Sequence, residues 1–225
     1  MSMPFYVAPE QMMKDRADFA RKGIARGRSL IAVQFDGGIA LVAENRSSTL
    51  RKISEIYDRI AFGGVGKYNE FDQLRVAGVR AADLKGYQFS RDDVDARSLA
   101  NGYAQMIGQI FTHEVKPLEV EILVAELGRE PEGDRLFHIM YDGTVLDEKD
   151  FCVLGGDAET IGGRMQERFV DGSPLRSAVK QAVESLGGDD GPPDHREMEI
   201  GVLERNGERR CFRRLSHDDV AACLD

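Results

Sequence analysis

The sequence predicts an α+β protein in which two antiparallel sheets stack face to face under helices on both outer sides, a four-layer α-β-β-α sandwich. Three observations carry this expectation. Strand-like stretches are followed by two helical stretches, the same block repeats, and a last strand pair closes the chain. Turn signals, Asp36-Gly37-Gly38, Asp142-Gly143 and Asn206-Gly207, separate short apolar runs, as hairpins require. The length of 225 residues suits one large core, so a single domain is expected over 1–225, with a tail over 1–8, a helix over 9–22 and the sandwich over 28–225.

The first helix is predicted from Pro9 to Lys22. Proline suits the first helical position, Glu10 the first turn, Arg21 and Lys22 the last, and Gly23 a stop. Its apolar stripe, Met13, Ala17 and Ala20, is too narrow to hold a lone helix. It fits a neighbouring subunit, a groove or a plain surface helix. The hairpin Ser29 to Glu44, SLIAVQFDGGIALVAE, comes next, with Ile31, Val33 and Phe35 alternating on the first strand and Ile39, Leu41 and Val42 on the return.

A connection over Asn45 to Leu50 leads to strand material from Ile53 to Val65. Helical spacing then runs from Lys67 to Leu84, with Phe71, Leu74, Gly78 and Ala81 on one core face, and from Val94 to His113, with Leu99, Tyr103, Met106 and Ile110 on another. Strands are expected over Glu119 to Leu127 and Arg135 to Leu154, and helices over Ala158 to Phe169 and Pro174 to Leu186. Gly187 to Glu197 reads as a polar Gly/Pro loop. Glu199 to Leu203 and Arg210 to Leu215 form the last strand pair, and Asp218 to Leu224 a short helix.

Composition narrows the function classes. A net charge of −9 argues against nucleic acid as a bulk partner. Cys152, Cys211 and Cys223, without a CxxC pair, read as reduced thiols of a cytoplasmic protein. No apolar run is long enough for a membrane span, and Met1 to Pro4 lacks the character of a signal peptide.

Local motifs for catalysis or cofactors fail on their chemistry. His113, His138, His195 and His217 are scattered, with no ligand spacing and no nearby Cys, so no metal site and no cofactor are expected. The glycine-rich stretch Ala61 to Tyr68 places Ala61 where a phosphate loop needs its first glycine and Tyr68 where it needs Ser or Thr, so a tight glycine turn opening a helix is expected. Arg205, Arg209, Arg210, Arg213 and Arg214 crowd one hairpin among glutamates, which reads as a solvated, salt-bridged surface.

Four segments, PFYVAPEQMMKDRADFARKGIA, GGVGKYNEFDQLR, KPLEVEILVAE and YDGTVLDEKDFCVLGG, together resemble a bacterial, actinobacterial-type proteasome alpha subunit over about Pro4 to Leu215. The first hairpin resembles the opening hairpin of the wider N-terminal-nucleophile hydrolase class. In catalytic members that hairpin begins with a threonine whose own α-amine is the base. Laid on the pattern, Arg28 stands in the threonine's place; arginine stays protonated, and the preceding segment leaves no free amine there.

The resemblance implies a noncatalytic subunit of a threonine-type endopeptidase complex, forming a homo-heptameric outer ring on separate beta subunits, gating entry and receiving a ring-shaped ATPase activator by its C-terminal tails. By itself the pair Arg51-Lys52 reads as a basic tip. The resemblance implies that Lys52 sits in a pocket between subunits and binds the activator's terminal carboxylate, a role for which an ammonium is suited. It further implies an axial gate from Ser2, Met3, Pro4, Phe5, Tyr6 and Val7, and ring assembly through Met13, Ala17 and Ala20. The Tyr-Asp-Arg gate motif of archaeal and eukaryotic alpha subunits is absent from the first nine residues. The alternative is an active amidohydrolase or peptidase in which cleavage after Arg28 exposes Ser29.

Overall fold

The computed structural model describes residues 8–188 and 191–224. In β1 (Leu30–Phe35) and β2 (Gly38–Glu44) all the apolar side chains are buried. Leu30, Ala32, Ile39, Leu41 and Ala43 enter one core, while Ile31, Val33, Phe35, Ala40 and Val42 enter another. Successive side chains of a strand point to opposite faces, so strands apolar on both faces must be covered twice.

The first sheet has the order β10-β9-β2-β1-β8, where β8 is Phe151–Leu154, β9 Met198–Glu204 and β10 Phe212–Arg214. The second is the meander β3 (Ile53–Tyr57), β4 (Ile60–Gly66), β5 (Val120–Glu126), β6 (Arg135–Ile139), β7 (Val145–Glu148). Every pairing is antiparallel. The helices are α1 (Pro9–Ile24), α2 (Tyr68–Gln88), α3 (Ala96–His113), α4 (Ala158–Arg168), α5 (Leu175–Gly187) and α6 (His217–Leu224). α2 and α3 cover the second sheet and α4, α5 and α6 the first, which is the predicted four-layer sandwich. Among the described residues no helix is long and apolar enough to cross a membrane.

The structure departs from the sequence expectation in four places. α1 runs through Gly23 to Ile24, because glycine here answers a close approach: a Cβ on it would collide with the Glu119 side chain. Ala20 and Ile24 are buried in the core between the sheets. The Arg16 guanidinium donates to the carbonyls of Phe111, at 2.9 Å, and Glu114, and the Arg21 guanidinium lies 5.4 Å from the centre of the Tyr141 ring.

The core faces of α2 and α3 are turned slightly from expectation. Ala82 is buried and Ala81 exposed; Ile107 is fully buried, Met106 exposed and Ile110 half-buried. One contact accounts for the phase. The Tyr103 hydroxyl donates to the Leu74 carbonyl at 3.0 Å and occupies the space where residue 78 would carry a Cβ, so only glycine fits there.

The strand expected to Val65 runs on to Gly66: Ala61 to Gly63 pair with both β3 and β5, and Gly64 to Gly66 with β5. Gly63 and Gly64 admit neighbours from two sides, since a Cβ would meet Leu30 at 2.9 Å and Phe71 at 2.7 Å. Only Gly66, at φ +106°, makes the turn into α2.

Finally, Arg135 to Leu154 does not stay in one sheet. After β7 the chain passes through Asp150, at φ 67°, and β8 joins β1 of the other sheet, Leu154 opposite Leu30. The arginines of the last strand pair each meet a carboxylate: Arg205 with Asp134, Arg209 with Asp58, Arg210 with Glu55, Arg213 with Glu204 and Arg214 with Glu199.

Candidate functional site

The arrangement around Lys52 starts from a charge inside a strand. Glu199 lies in β9, MEIGVLE, where the only other charge is Glu204 at the strand's end, and is 3% exposed. A carboxylate in that position must be paired and hydrogen-bonded. Arg214 of β10 forms its ion pair and also donates to the Ile53 carbonyl at 2.7 Å. The Asn45 amide donates to Glu199 Oε2 at 2.6 Å and to the Leu50 carbonyl at 2.7 Å. The backbone N–H groups of Lys52 and Ile53 donate to the two carboxylate oxygens at 2.9 and 3.3 Å. Glu199 of the first sheet therefore fixes the start of β3 in the second.

With its backbone held there, Lys52 reaches the head of the first hairpin. Its ammonium donates to the backbone carbonyl of Arg28 and, at 3.4 Å, to that of Glu44. Burial lowers its pKa to about 8; attraction to Glu199 and then Glu44 opposes the shift, and the Arg28 charge adds to it. The Arg28 guanidinium turns outward to Glu44 at 2.5 Å. Arg46 bridges Glu44 and Glu197 at 3.5 and 2.8 Å. Beside this network opens a cavity of about 750 Å³, whose wall carries Arg26, Arg28, Arg46 and Arg164 and also Glu44, Asp157, Asp194 and Glu197. Lys52 does not line the cavity; the two meet at Arg28 and Glu44. The Lys52 ammonium, partly withdrawn from water and held by backbone carbonyls, suits an anionic group such as a carboxylate.

Nucleophilic chemistry has little to work with at the same point. Arg28 is joined through Gly27 to α1, whose Ala20 and Ile24 are core residues. Ser29 is half-buried against Gly155, and among the described residues no base is hydrogen-bonded to its hydroxyl.

The other sequence-derived candidates fall as follows. Ser2 to Val7 lie outside the described residues. Met13 is at the surface, Ala17 leans on the core between the sheets, and Ala20 is closed within it. On the outer side of α1, Met12, Met13 and Phe19 are exposed, next to Val115. Glu199 and Asn45 do not stand out as site residues in the sequence, and Arg214 stands there only as one of the salt-bridged arginines. The signal for Glu199 is a charge inside an apolar stretch of strand, but its partners come from distant segments.

Residues 24–188 match the family model described as Proteasome subunit. The chain is 63% identical over 224 residues to the proteasome subunit alpha of Acidimicrobium ferrooxidans, covering 100% of this chain and 97% of that one. It is 57% identical over 230 residues to the proteasome subunit alpha of Sanguibacter keddieii, with 99% and 90% covered. To that of Kineococcus radiotolerans it is 55% identical over 235 residues, with 100% and 98% covered. A two-sheet sandwich whose first hairpin opens on Arg28, together with these full-length similarities, leads to one assignment: the chain belongs to the proteasome subunit family, as a bacterial alpha-type subunit.

Proposed function

We propose that this chain is a noncatalytic subunit of the proteasome core, forming a heptameric outer ring on separate beta subunits in the cytoplasm, gating entry through Ser2 to Val7 and docking an ATPase activator at Lys52. The observation that carries the reading is the ammonium of Lys52 set against the Arg28 carbonyl. At the head of the hairpin an arginine stands where an active member needs a nucleophile with a free amine. What remains is a fixed cation at the edge of a charged recess, a fit for a chain-terminal carboxylate. Release of Ser29 by processing is disfavoured, because cutting after Arg28 would leave the core residues Ala20 and Ile24 on a separate fragment, held by packing alone. Assembly contacts would then use the exposed side of α1, with Met13 and its neighbours Met12 and Phe19, while Ala17 and Ala20 seat the helix on its own subunit.

The test uses the core assembled with beta subunits and a peptide carrying the activator's C-terminal sequence. Losing one partner of a desolvated charge pair costs about 2–5 kcal/mol, and less at a half-exposed site. Lys52→Ala should abolish most peptide binding and activator-dependent protein degradation while small-peptide hydrolysis persists. Arg51→Ala should have a small effect that salt removes. Undiminished binding in Lys52→Ala would overturn the docking assignment. Deleting Ser2 to Val7 should speed entry of long peptides without loss of assembly; an unchanged rate would remove the gate.

A further inference from the structure

Between the sheets, at the edge where β8 faces β6 and β7, three side chains capable of binding a metal come together from different strands. His138 of β6, Glu148 of β7 and Cys152 of β8 each offer a ligand atom within 4.8 Å of the others. Glu121 of β5 stands beside His138, its Oε2 at 3.5 Å from His138 Nε2. His138 is buried, with its side chain only 10% exposed, and its Nε2 has no hydrogen-bond partner. Cys152 is 3% exposed. Glu121 is buried as well, with one backbone donor, the Gly155 N–H at 3.3 Å from Oε2.

An apolar core explains none of this. A buried imidazole nitrogen without a partner costs free energy, and two carboxylates near a buried thiol repel its ionised form. A dication among these groups would neutralise the carboxylates and satisfy the imidazole. It would also form a metal–sulfur bond as the thiol proton leaves to solvent.

We propose that this cluster is a binding site for one divalent cation of the zinc class, with His138, Glu148 and Cys152 as ligands and a water as the fourth. The donor set of one sulfur, one imidazole nitrogen and carboxylate oxygens suits zinc and not calcium or magnesium, which take oxygen alone. Ligand atoms of a tetrahedral zinc site lie about 3.5 Å apart, so the set, now within 4.8 Å, needs to contract by about 1 Å to hold the ion. Bound there, the ion would tie β8 of one sheet to β6 and β7 of the other, across the Lys149-Asp150 crossover. The sequence reading set His138 aside because no cysteine stood near it in the chain; the fold supplies Cys152.

The test is cobalt and zinc titration of the full chain after chelator treatment. Wild type should bind one equivalent of Co²⁺ with a thiolate-to-cobalt charge-transfer band, Zn²⁺ should displace it, and Zn²⁺ should raise Tm. Cys152→Ala should lose the band, and His138→Asn and Glu148→Gln should bind Zn²⁺ about tenfold or more weakly. Glu148 is only half-buried, so Glu148→Gln keeps the test decisive if a core variant does not fold. Absence of the band in folded wild type at saturating Co²⁺ would overturn the proposal. So would its persistence in Cys152→Ala, or unchanged Zn²⁺ affinity in Glu148→Gln.

Discussion

The Lys52 ammonium is hydrogen-bonded to the backbone carbonyl of Arg28, joining the residue that leads into β3 of one sheet to the residue that leads into β1 of the other. Two facts of the fold make this contact possible. Glu199 holds the Lys52 backbone from across the gap, and α1 holds the chain upstream of Arg28 in place by its buried Ala20 and Ile24.

The proposed loss of chemistry gives the first expectation. The purified chain should retain the Arg28–Ser29 peptide bond by intact mass and hydrolyse no peptide on its own, and Ser29→Ala should change neither result. Turnover by a preparation free of beta subunits, abolished in Ser29→Ala, would count for the processed-enzyme alternative.

Lys52 should make both binding and stability depend on pH. Its pKa is about 8 in the folded chain against 10.5 for an ordinary lysine, so the unfolded chain holds more protons between those values. Stability contributed at this residue therefore rises from about pH 8 to 10.5 as the buried charge is discharged. Affinity for a terminal carboxylate should move the opposite way, falling as pH rises through 8. Peptide binding measured from neutral to alkaline pH should show the fall in wild type and not in Lys52→Arg, whose guanidinium stays charged.

Glu199→Ala should destabilise the fold by about 3–5 kcal/mol, because it strands Arg214 and unties the N–H groups of Lys52 and Ile53. Denaturant unfolding reads the cost. The double variant Glu199→Ala with Arg214→Met should lose less than Glu199→Ala alone, since it leaves no unpaired guanidinium at a half-buried position. Equal losses would mean that Arg214 contributes nothing through the pair.

The two faces of α1 should respond differently. Ile24→Ala empties a core position and should cost about 2–5 kcal/mol in thermal or denaturant unfolding of the isolated chain. Met13→Ala changes a surface residue and should leave that stability within about 0.5 kcal/mol. If the exposed side of α1 serves the ring, the same Met13→Ala variant should weaken assembly with beta subunits by native mass measurement.

Gly78→Ala should cost about 1–3 kcal/mol by forcing its new methyl against the Tyr103 hydroxyl. In a Tyr103→Phe background the hydroxyl is gone, and the added cost of Gly78→Ala should shrink. An identical cost in both backgrounds would place the strain elsewhere in the α2–α3 contact.

The sequence by itself determined the layers of this protein and the character of its first hairpin. Period-two alternation in SLIAVQFDGGIALVAE, paired helical stretches and Asx-Gly turns are properties of neighbouring residues, so they are legible without coordinates. The same holds for Pro9 starting α1 and for Arg28 heading β1. Tertiary structure decided what depends on residues far apart in the chain. The rotation of α2 and α3 is set where the Tyr103 hydroxyl enters the space above Gly78, and Gly23 could look like a helix stop only while Glu119 was out of sight. Gly63 and Gly64 fall within an expected strand, and only the fold brings up Leu30 and Phe71, the neighbours that require glycine there. Glu199 finds Arg214 and Asn45, and His138 finds Cys152, only when two sheets stack. A buried charge or imidazole shows in the sequence as an oddity, and the long-range contacts that satisfy it exist only in the fold.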